Sequence, residues 1–131
     1  MGTVALLHVT PGLADGLRSA CAAAGLVVSA AHLHDLDAGH FDAEAFLRQH
    51  DPVVVVIDLA PPYPVALERL QVISRLPAAQ GRQLVVTAPD PAFVAASLDH
   101  AGRLIEIVGQ HEDLGPLILA IKEATRARPG R

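Results

Sequence analysis

The sequence predicts an α/β domain of three layers, in which five parallel strands form a sheet that helices cover on both faces. Short apolar runs alternate with helical patterns five times along the 131 residues. The third run, "VVVVID", is continuously apolar up to its final acid, which is typical of a parallel strand buried on both faces. Hydrophobic residues make up 51% of the chain, with three Phe, one Tyr and no Trp, so we expect an aliphatic core. Right-handed crossovers between such strands make the sheet doubly wound.

Each predicted strand is a short aliphatic or β-branched run bounded by turn residues. The five strands are predicted at residues 4–9, 26–31, 53–58, 83–87 and 104–108.

The segments between the strands carry helical patterns with recognisable ends. Helices are predicted at residues 12–25, 42–51, 64–76, 91–102 and 113–127. Asp42 and Asp90 are suitable N-caps, and Gly25 and Gly102 are suitable terminators. The apolar positions expected to face the core are Leu13, Leu17, Ala20, Cys21 and Ala24, then Val65, Leu67, Leu70, Ile73 and Leu76, then Leu114, Leu117, Ile118 and Ile121.

Composition and charge limit the classes of function. The chain is about the size of one ordinary domain and has no repeat or internal linker, so we expect a single domain over residues 1–131 with a basic tail at about 126–131. The net charge is −4, and no Arg/Lys cluster precedes the last ten residues. Because nucleic-acid affinity depends on neutralising phosphates, direct nucleic-acid binding is not expected.

The expected location is the cytoplasm. No apolar stretch approaches the ~18 to 20 residues of a membrane span, so no membrane association is expected. The start, "MGTVALLHV", lacks the basic residues and cleavage site of a signal peptide. Cys21 is the only cysteine, which excludes an internal disulfide and suits a reducing compartment.

Polar residues close the third and fourth predicted strands. Asp58 ends "VVVVIDLAPP", and Thr87 follows the apolar part of "VVTA". Ligands of open α/β sheets bind beyond the carboxyl ends of the strands, where these two side chains are expected to lie side by side. An acid at this place in an arbitrary domain is usually a loop cap, and a Thr is usually an ordinary strand residue.

The five-fold β-α order, Asp58 with Pro62 four residues later, and Thr87 in "VVTA" together resemble the receiver domain of two-component response regulators. The similarity covers residues 4–127, almost the whole chain. It implies a flavodoxin-like fold with strand order 2-1-3-4-5 and a role in phosphorelay signal transduction. It also implies that Asp58 occupies the phosphoacceptor position, which a histidine kinase would supply with a phosphoryl group.

The family uses four parts for this chemistry. The acceptor aspartate and a hydroxyl residue are matched by Asp58 and Thr87, whereas an acidic pair and a lysine are missing here. The resemblance implies an acidic pair that holds Mg²⁺ after the first strand, where this chain has His8 and Val9. Neither is a hard oxygen ligand, so no cofactor is expected and Mg²⁺ binding would be poor. It also implies a lysine after the fifth strand, where Gln110 stands; the only lysine is Lys122, inside the last predicted helix. The predicted pocket is His8, Val9, Thr87, Ala88 and Gln110 around Asp58.

These differences predict an atypical receiver, or pseudo-receiver, with no catalytic residues. Without Mg²⁺ or lysine, the charge of a phosphoryl group on Asp58 would be poorly neutralised. Below about pH 7, an imidazolium at His8 is the one cation that we predict beside Asp58. The fifth strand has Ile105 and Ile107 where the family has a switching aromatic, so we expect action through protein contacts. The expected partners are a histidine kinase, a downstream regulator or a second copy, bound by the face of the fourth helix, fifth strand and fifth helix.

Two further interpretations stay open. The segment "HLHDLDAGH", with His32, His34 and His40, has the composition of a metal site, but it lacks a second ligand motif and is interpreted as a solvated loop. The alternative function is a small-ligand domain that binds a nucleotide or flavin in the pocket. Against it, the chain has no G-x-G-x-x-G after the first strand and few aromatic residues.

Overall fold

The computed structural model describes residues 2–37, 42–97, 105–109 and 114–126, and it confirms the predicted parallel sheet. All neighbouring strands are parallel, in the order β2-β1-β3-β4-β5. The strands are β1 (Gly2–His8), β2 (Leu26–His32), β3 (Val54–Asp58), β4 (Gln83–Ala88) and β5 (Ile105–Gly109).

The helices alternate with the strands. They are α1 (Leu13–Ala23), α2 (Leu33–Asp37), α3 (Ala43–His50), α4 (Tyr63–Ser74), α5 (Pro91–Ser97) and α6 (Gly115–Arg126), with a 3₁₀ turn at Pro77–Ala79. The short α2 was interpreted from sequence as a solvated loop, and for these residues that interpretation is wrong. The backbone turns directly from β2 into a helix whose first side chain, Leu33, is buried at the sheet.

Local signals at the helix ends are confirmed where they are described. Asp42 Oδ1 accepts the backbone N–H of Ala45 at 3.1 Å, and Asp90 Oδ1 accepts that of Phe93 at 3.1 Å. Gly25 follows α1 with φ of 77°, a left-handed conformation that costs glycine little. The predicted terminator Gly102, the start of the predicted strand at Leu104 and most of the basic tail lie outside the described residues.

Two apolar clusters fill the spaces above and below the sheet. One joins β1, β3 and β4 to α1 and α6, with Leu6, Leu17, Cys21, Leu117 and Ile121 among its buried residues. The other joins the opposite face to α3, α4 and α5, with Leu7, Leu47, Leu70, Ile73 and Val94. The sheet is therefore the middle of three layers, as predicted.

Two core assignments are wrong. Val65 is 45% exposed, because α4 turns Ala66 to the sheet instead, and Ala24 is exposed because α1 has already ended. Among the described residues, no helix has the length and hydropathy that crossing a membrane requires.

Charged side chains bind backbone groups at the amino-terminal end of the sheet. Arg82, just before β4, donates to Asp51 Oδ1 at 2.8 Å, to the Pro52 carbonyl at 2.7 Å and to the Ala78 carbonyl. Glu44 of α3 accepts the backbone N–H of Ala78 at 2.9 Å. These contacts tie the start of β3 and β4 to α3 and the 3₁₀ turn.

Candidate functional site

Asp58 and Thr87 lie opposite each other at the carboxyl ends of β3 and β4. The register pairs the two residues directly, and their side chains are 0% and 1% exposed. They are the two buried polar residues among the described part of the chain. Just beyond them, the N–H of Leu59 donates to the Thr87 carbonyl at 2.8 Å and prolongs the pairing of the strands.

The Asp58 carboxylate is bonded to the loop that follows β1. Its Oδ2 accepts the backbone N–H of Val9 at 3.0 Å and that of Thr10 at 2.8 Å. Such charge-assisted bonds are stronger than neutral ones, and they offset the cost of burying a carboxylate. Asp58 therefore holds the β1–α1 loop in place, a role that the sequence did not indicate for Thr10.

Four of the five predicted pocket residues are described, and they lie along this edge with Asp58. His8 ends β1 and Val9 follows it, both half-buried, while Thr87 and Ala88 end β4 and are buried. Ala88 pairs with Gly109, the last residue of β5. Gln110, the fifth, lies outside the described residues.

The sequence predicts an imidazolium at His8 below about pH 7, and the structure shows what acts on that ring. Partial burial lowers its pKa below the ordinary 6.5, and the nearby His32 and Arg18 lower it further, against an opposing effect of Asp58. Desolvation is the largest cause, because burial penalises the charged form of the ring. Its Nδ1 is buried and has no hydrogen-bond partner among the described residues.

Two more imidazoles adjoin His8. The register places His32 at the end of β2 opposite His8, and their ring centroids are 5.2 Å apart in an edge-to-face arrangement. His34 stacks on His32 at 4.9 Å. His40 lies outside the described residues. The sequence carried one signal for this contact, since both of the first two strands end next to a histidine.

Tyr63 connects the loops that follow β3 and β4. Its hydroxyl accepts the backbone N–H of Asp90 at 3.0 Å, and its ring lies 5.1 Å from that of Phe93. The Pro61–Pro62 bond that precedes it is cis. Sequence patterns gave no sign of this contact, because it depends on how two separate loops approach.

Metal ligands do not converge in the described part of the chain: no group of three or more His, Cys, Asp or Glu side chains is arranged to hold an ion there. Lys122, the only lysine in the sequence, is exposed in α6. What the described residues provide at the edge of the sheet is one buried carboxylate, a hydroxyl residue and three imidazoles.

Three solved structures are similar to this chain over nearly its whole length. A response regulator from Burkholderia multivorans is 23% identical with a TM-score of 0.57, and the match covers 100% of this chain and 98% of that one. The receiver domain of response regulator 1452 from Francisella is 14% identical with a TM-score of 0.57, covering 97% and 98%. The N-terminal domain of a response regulator receiver protein from Methanoculleus marisnigri JR1 is 15% identical with a TM-score of 0.61, covering 100% and 98%.

Neither a scan of protein-family models nor a search of curated proteins gives a match. The likeness is therefore one of fold, carried by the parallel sheet and its alternating helices. The chain has the receiver fold of response regulators, with strand order 2-1-3-4-5.

Proposed function

We propose that this chain is a single signalling domain of the atypical receiver type, which acts through protein contacts and is a poor substrate for Mg²⁺-dependent phosphorylation. The observation that carries the proposal is the state of Asp58, whose side chain is 0% exposed and whose Oδ2 already accepts two backbone N–H groups. A carboxylate in this position is already engaged in holding the loop that follows β1.

Phosphorylation of a carboxylate requires an oxygen in line with the phosphorus and cations around the transferred group. At this edge, Val9 and His8 stand where the family has its acidic pair, and burial lowers the pKa of His8. The two loop N–H groups balance one carboxylate, but they are already used in the resting protein. The added charge of a phosphoryl group would therefore lack the electrostatic stabilisation that such a transfer needs.

Protein contacts are the remaining route by which a receiver fold of this kind could signal. Phe93 on α5 and Leu119 on α6 are 46% and 56% exposed, and these helices follow β4 and β5. The two helices lie on opposite faces of the sheet, and both pack against its last strand, β5, so they border the same edge of the domain. We propose that this face binds a kinase, a downstream regulator or a second copy, in the cytoplasm and without enzymatic activity of its own.

The phosphorylation part is tested by incubating the purified protein with acetyl phosphate and Mg²⁺ and measuring the intact mass. We expect no stoichiometric gain of a phosphoryl group, whereas a receiver with the acidic pair and lysine, run in parallel, gains one. The double variant His8→Asp, Val9→Asp restores an acidic pair and is expected to gain more than wild type. Stoichiometric modification of wild type that Asp58→Asn abolishes would overturn the proposal.

The contact part is tested by light scattering across concentrations and by binding to candidate kinases. Leu119→Glu and Phe93→Glu are expected to weaken any association, while Val27→Glu, equally exposed at 50% on β2, is the matched control. A thermal-shift screen with beryllofluoride plus Mg²⁺, nucleotides and flavins completes the test, because a ligand that binds the native state raises its stability. A nucleotide or flavin response would favour the small-ligand alternative.

A further inference from the structure

Three imidazoles form a continuous row at the carboxyl edge of the sheet, and we call His8, His32 and His34 the histidine row. The ring centroids of His8 and His32 are 5.2 Å apart, and those of His32 and His34 are 4.9 Å apart. Protonating one ring places a positive charge against the next.

The middle ring also holds the start of α2. His32 Nδ1 accepts the backbone N–H of His34 at 3.1 Å, which is the bond that an N-cap side chain makes. Only an imidazole with a free lone pair on Nδ1 accepts this bond. An imidazolium carries a proton on both ring nitrogens, so protonation of His32 removes the cap.

The inner ring has a similar constraint. His8 Nδ1 is buried without a partner among the described residues, and an imidazolium would carry a buried N–H there. A buried donor without an acceptor is costly, so a protonated His8 must move or gain an acceptor. The groups that act on His8 are His32 from β2, Arg18 from α1 and the carboxylate of Asp58 from β3.

Asp58 is the anion in that set, and its bonds connect the row to the loop after β1. His8 directly precedes Val9 and Thr10, whose N–H groups Asp58 binds. A positive charge on His8 attracts the same carboxylate that holds these amides. Ring contacts and the His32–His34 bond therefore join the row to α2, and the chain step from His8 to Val9 joins it to the Asp58 site.

We propose that the histidine row is an acid-sensitive switch: protonation of His32 uncaps α2, and protonation of His8 draws Asp58 from the amides of Val9 and Thr10. The switch rests on the proposed function, because the state that acid would disrupt is the Asp58 site with its bonds to Val9 and Thr10 in place. Histidine is the side chain that changes charge between about pH 5 and 8, so moderate acidification is the trigger. Asp35, exposed in α2, is the acid nearest to His34 along the chain.

The test follows the backbone amides of Val9, Thr10 and His34 in ¹H–¹⁵N spectra and hydrogen exchange from about pH 7.5 to 5.5. EDTA is present throughout, so that adventitious metal binding does not contribute. On acidification we expect all three resonances to shift together, and the exchange protection of His34 to fall about fivefold, as expected for loss of a helix cap.

Two variants separate the parts of the switch. His32→Asn supplies a capping side chain that does not titrate, so the protection of His34 should become independent of pH. His8→Gln should abolish the acid-induced shifts of Val9 and Thr10. His50→Gln is the control, because the His50 side chain bonds Ser29 and lies outside the row. This variant should respond like wild type.

The proposal is overturned if wild-type Val9, Thr10 and His34 keep their resonances and protection at the acidic end, or if both row variants still respond fully. The spectra use no phosphoryl donor and no partner protein. Failure of the switch therefore leaves the acetyl phosphate and association results unchanged, and those results can fail while the switch operates.

Discussion

The two ends of the sheet use charged side chains in opposite ways. At the amino-terminal end, Arg82 and Glu44 bind backbone groups of turns and keep one side in contact with solvent; the Asp51 partner is 84% exposed. At the carboxyl edge, Asp58 is fully buried and His8 leaves a buried nitrogen without a described partner. The polar groups named at the first end are all hydrogen-bonded, whereas at the second one buried nitrogen has no partner in the part of the chain that the structure describes.

This difference suggests how the fold separates stability from response. The contacts of Arg82 with carbonyls should persist between about pH 5 and 9, because a guanidinium stays protonated. The carboxyl edge includes His8, whose pKa burial lowers, and histidine is the side chain that changes charge between about pH 5 and 8. Perturbations at the two ends should therefore differ in size and in pH dependence.

The largest effect is expected from Asp58→Ala. The substitution leaves the N–H groups of Val9 and Thr10 without their acceptor in a part-buried site, so the free energy of unfolding should fall by about 2 to 3 kcal/mol. Urea denaturation followed by circular dichroism measures it. Asp58→Asn keeps an acceptor oxygen and should lose less than half as much; equal losses would show that the carboxylate bonds are not the cause.

A smaller loss is expected from Arg82→Ala at the other end. The variant removes donors to the Pro52 and Ala78 carbonyls, and we expect a fall of about 1 to 2 kcal/mol. The matched control is Asp51→Asn, which removes the exposed charge, tolerates the left-handed backbone and should cost less than about 0.5 kcal/mol. A large loss in the control would mean that the ion pair, and not the carbonyl contacts, stabilises this end.

The smallest effect is the pH dependence contributed by His8, a single half-buried group. Because burial lowers the pKa of His8 in the folded chain below 6.5, the unfolded chain binds the proton more readily. The contribution is present above about pH 6.5 and is lost as the pH falls from there through the folded pKa. Urea midpoints at pH about 7.5 and 5.5 should differ less in His8→Gln than in wild type; an unchanged difference would contradict it.

The sequence predicted the sheet because its signals are local. The continuous valines of β3 and the capping acids Asp42 and Asp90 act through neighbours in the chain, and all three appear in the structure as expected. The same locality explains why Val65 was wrongly assigned to the core. Val65 and Ala66 are both compatible with a helix core, and only the angle at which α4 meets the sheet decides that Ala66 is buried.

The site was predictable in position but not in bonding. The end of β3 had to place Asp58 at the carboxyl edge, next to Thr87 on β4. That its Oδ2 binds Val9 and Thr10 follows from the path of a loop 48 and 49 residues away, and no spacing rule contains that path. The lowered pKa of His8 was not predictable either, because desolvation depends on burial, which the sequence does not give.

Lys122 has a practical consequence for studying this domain. As the only lysine in the chain, exposed in α6 and three residues after the exposed Leu119, it gives amine-directed reagents a single side-chain target on the proposed contact surface. A crosslink or fluorescent label attached there reports on one helix without any engineered residue. The face proposed to bind partners can thus be chemically addressed in the native sequence.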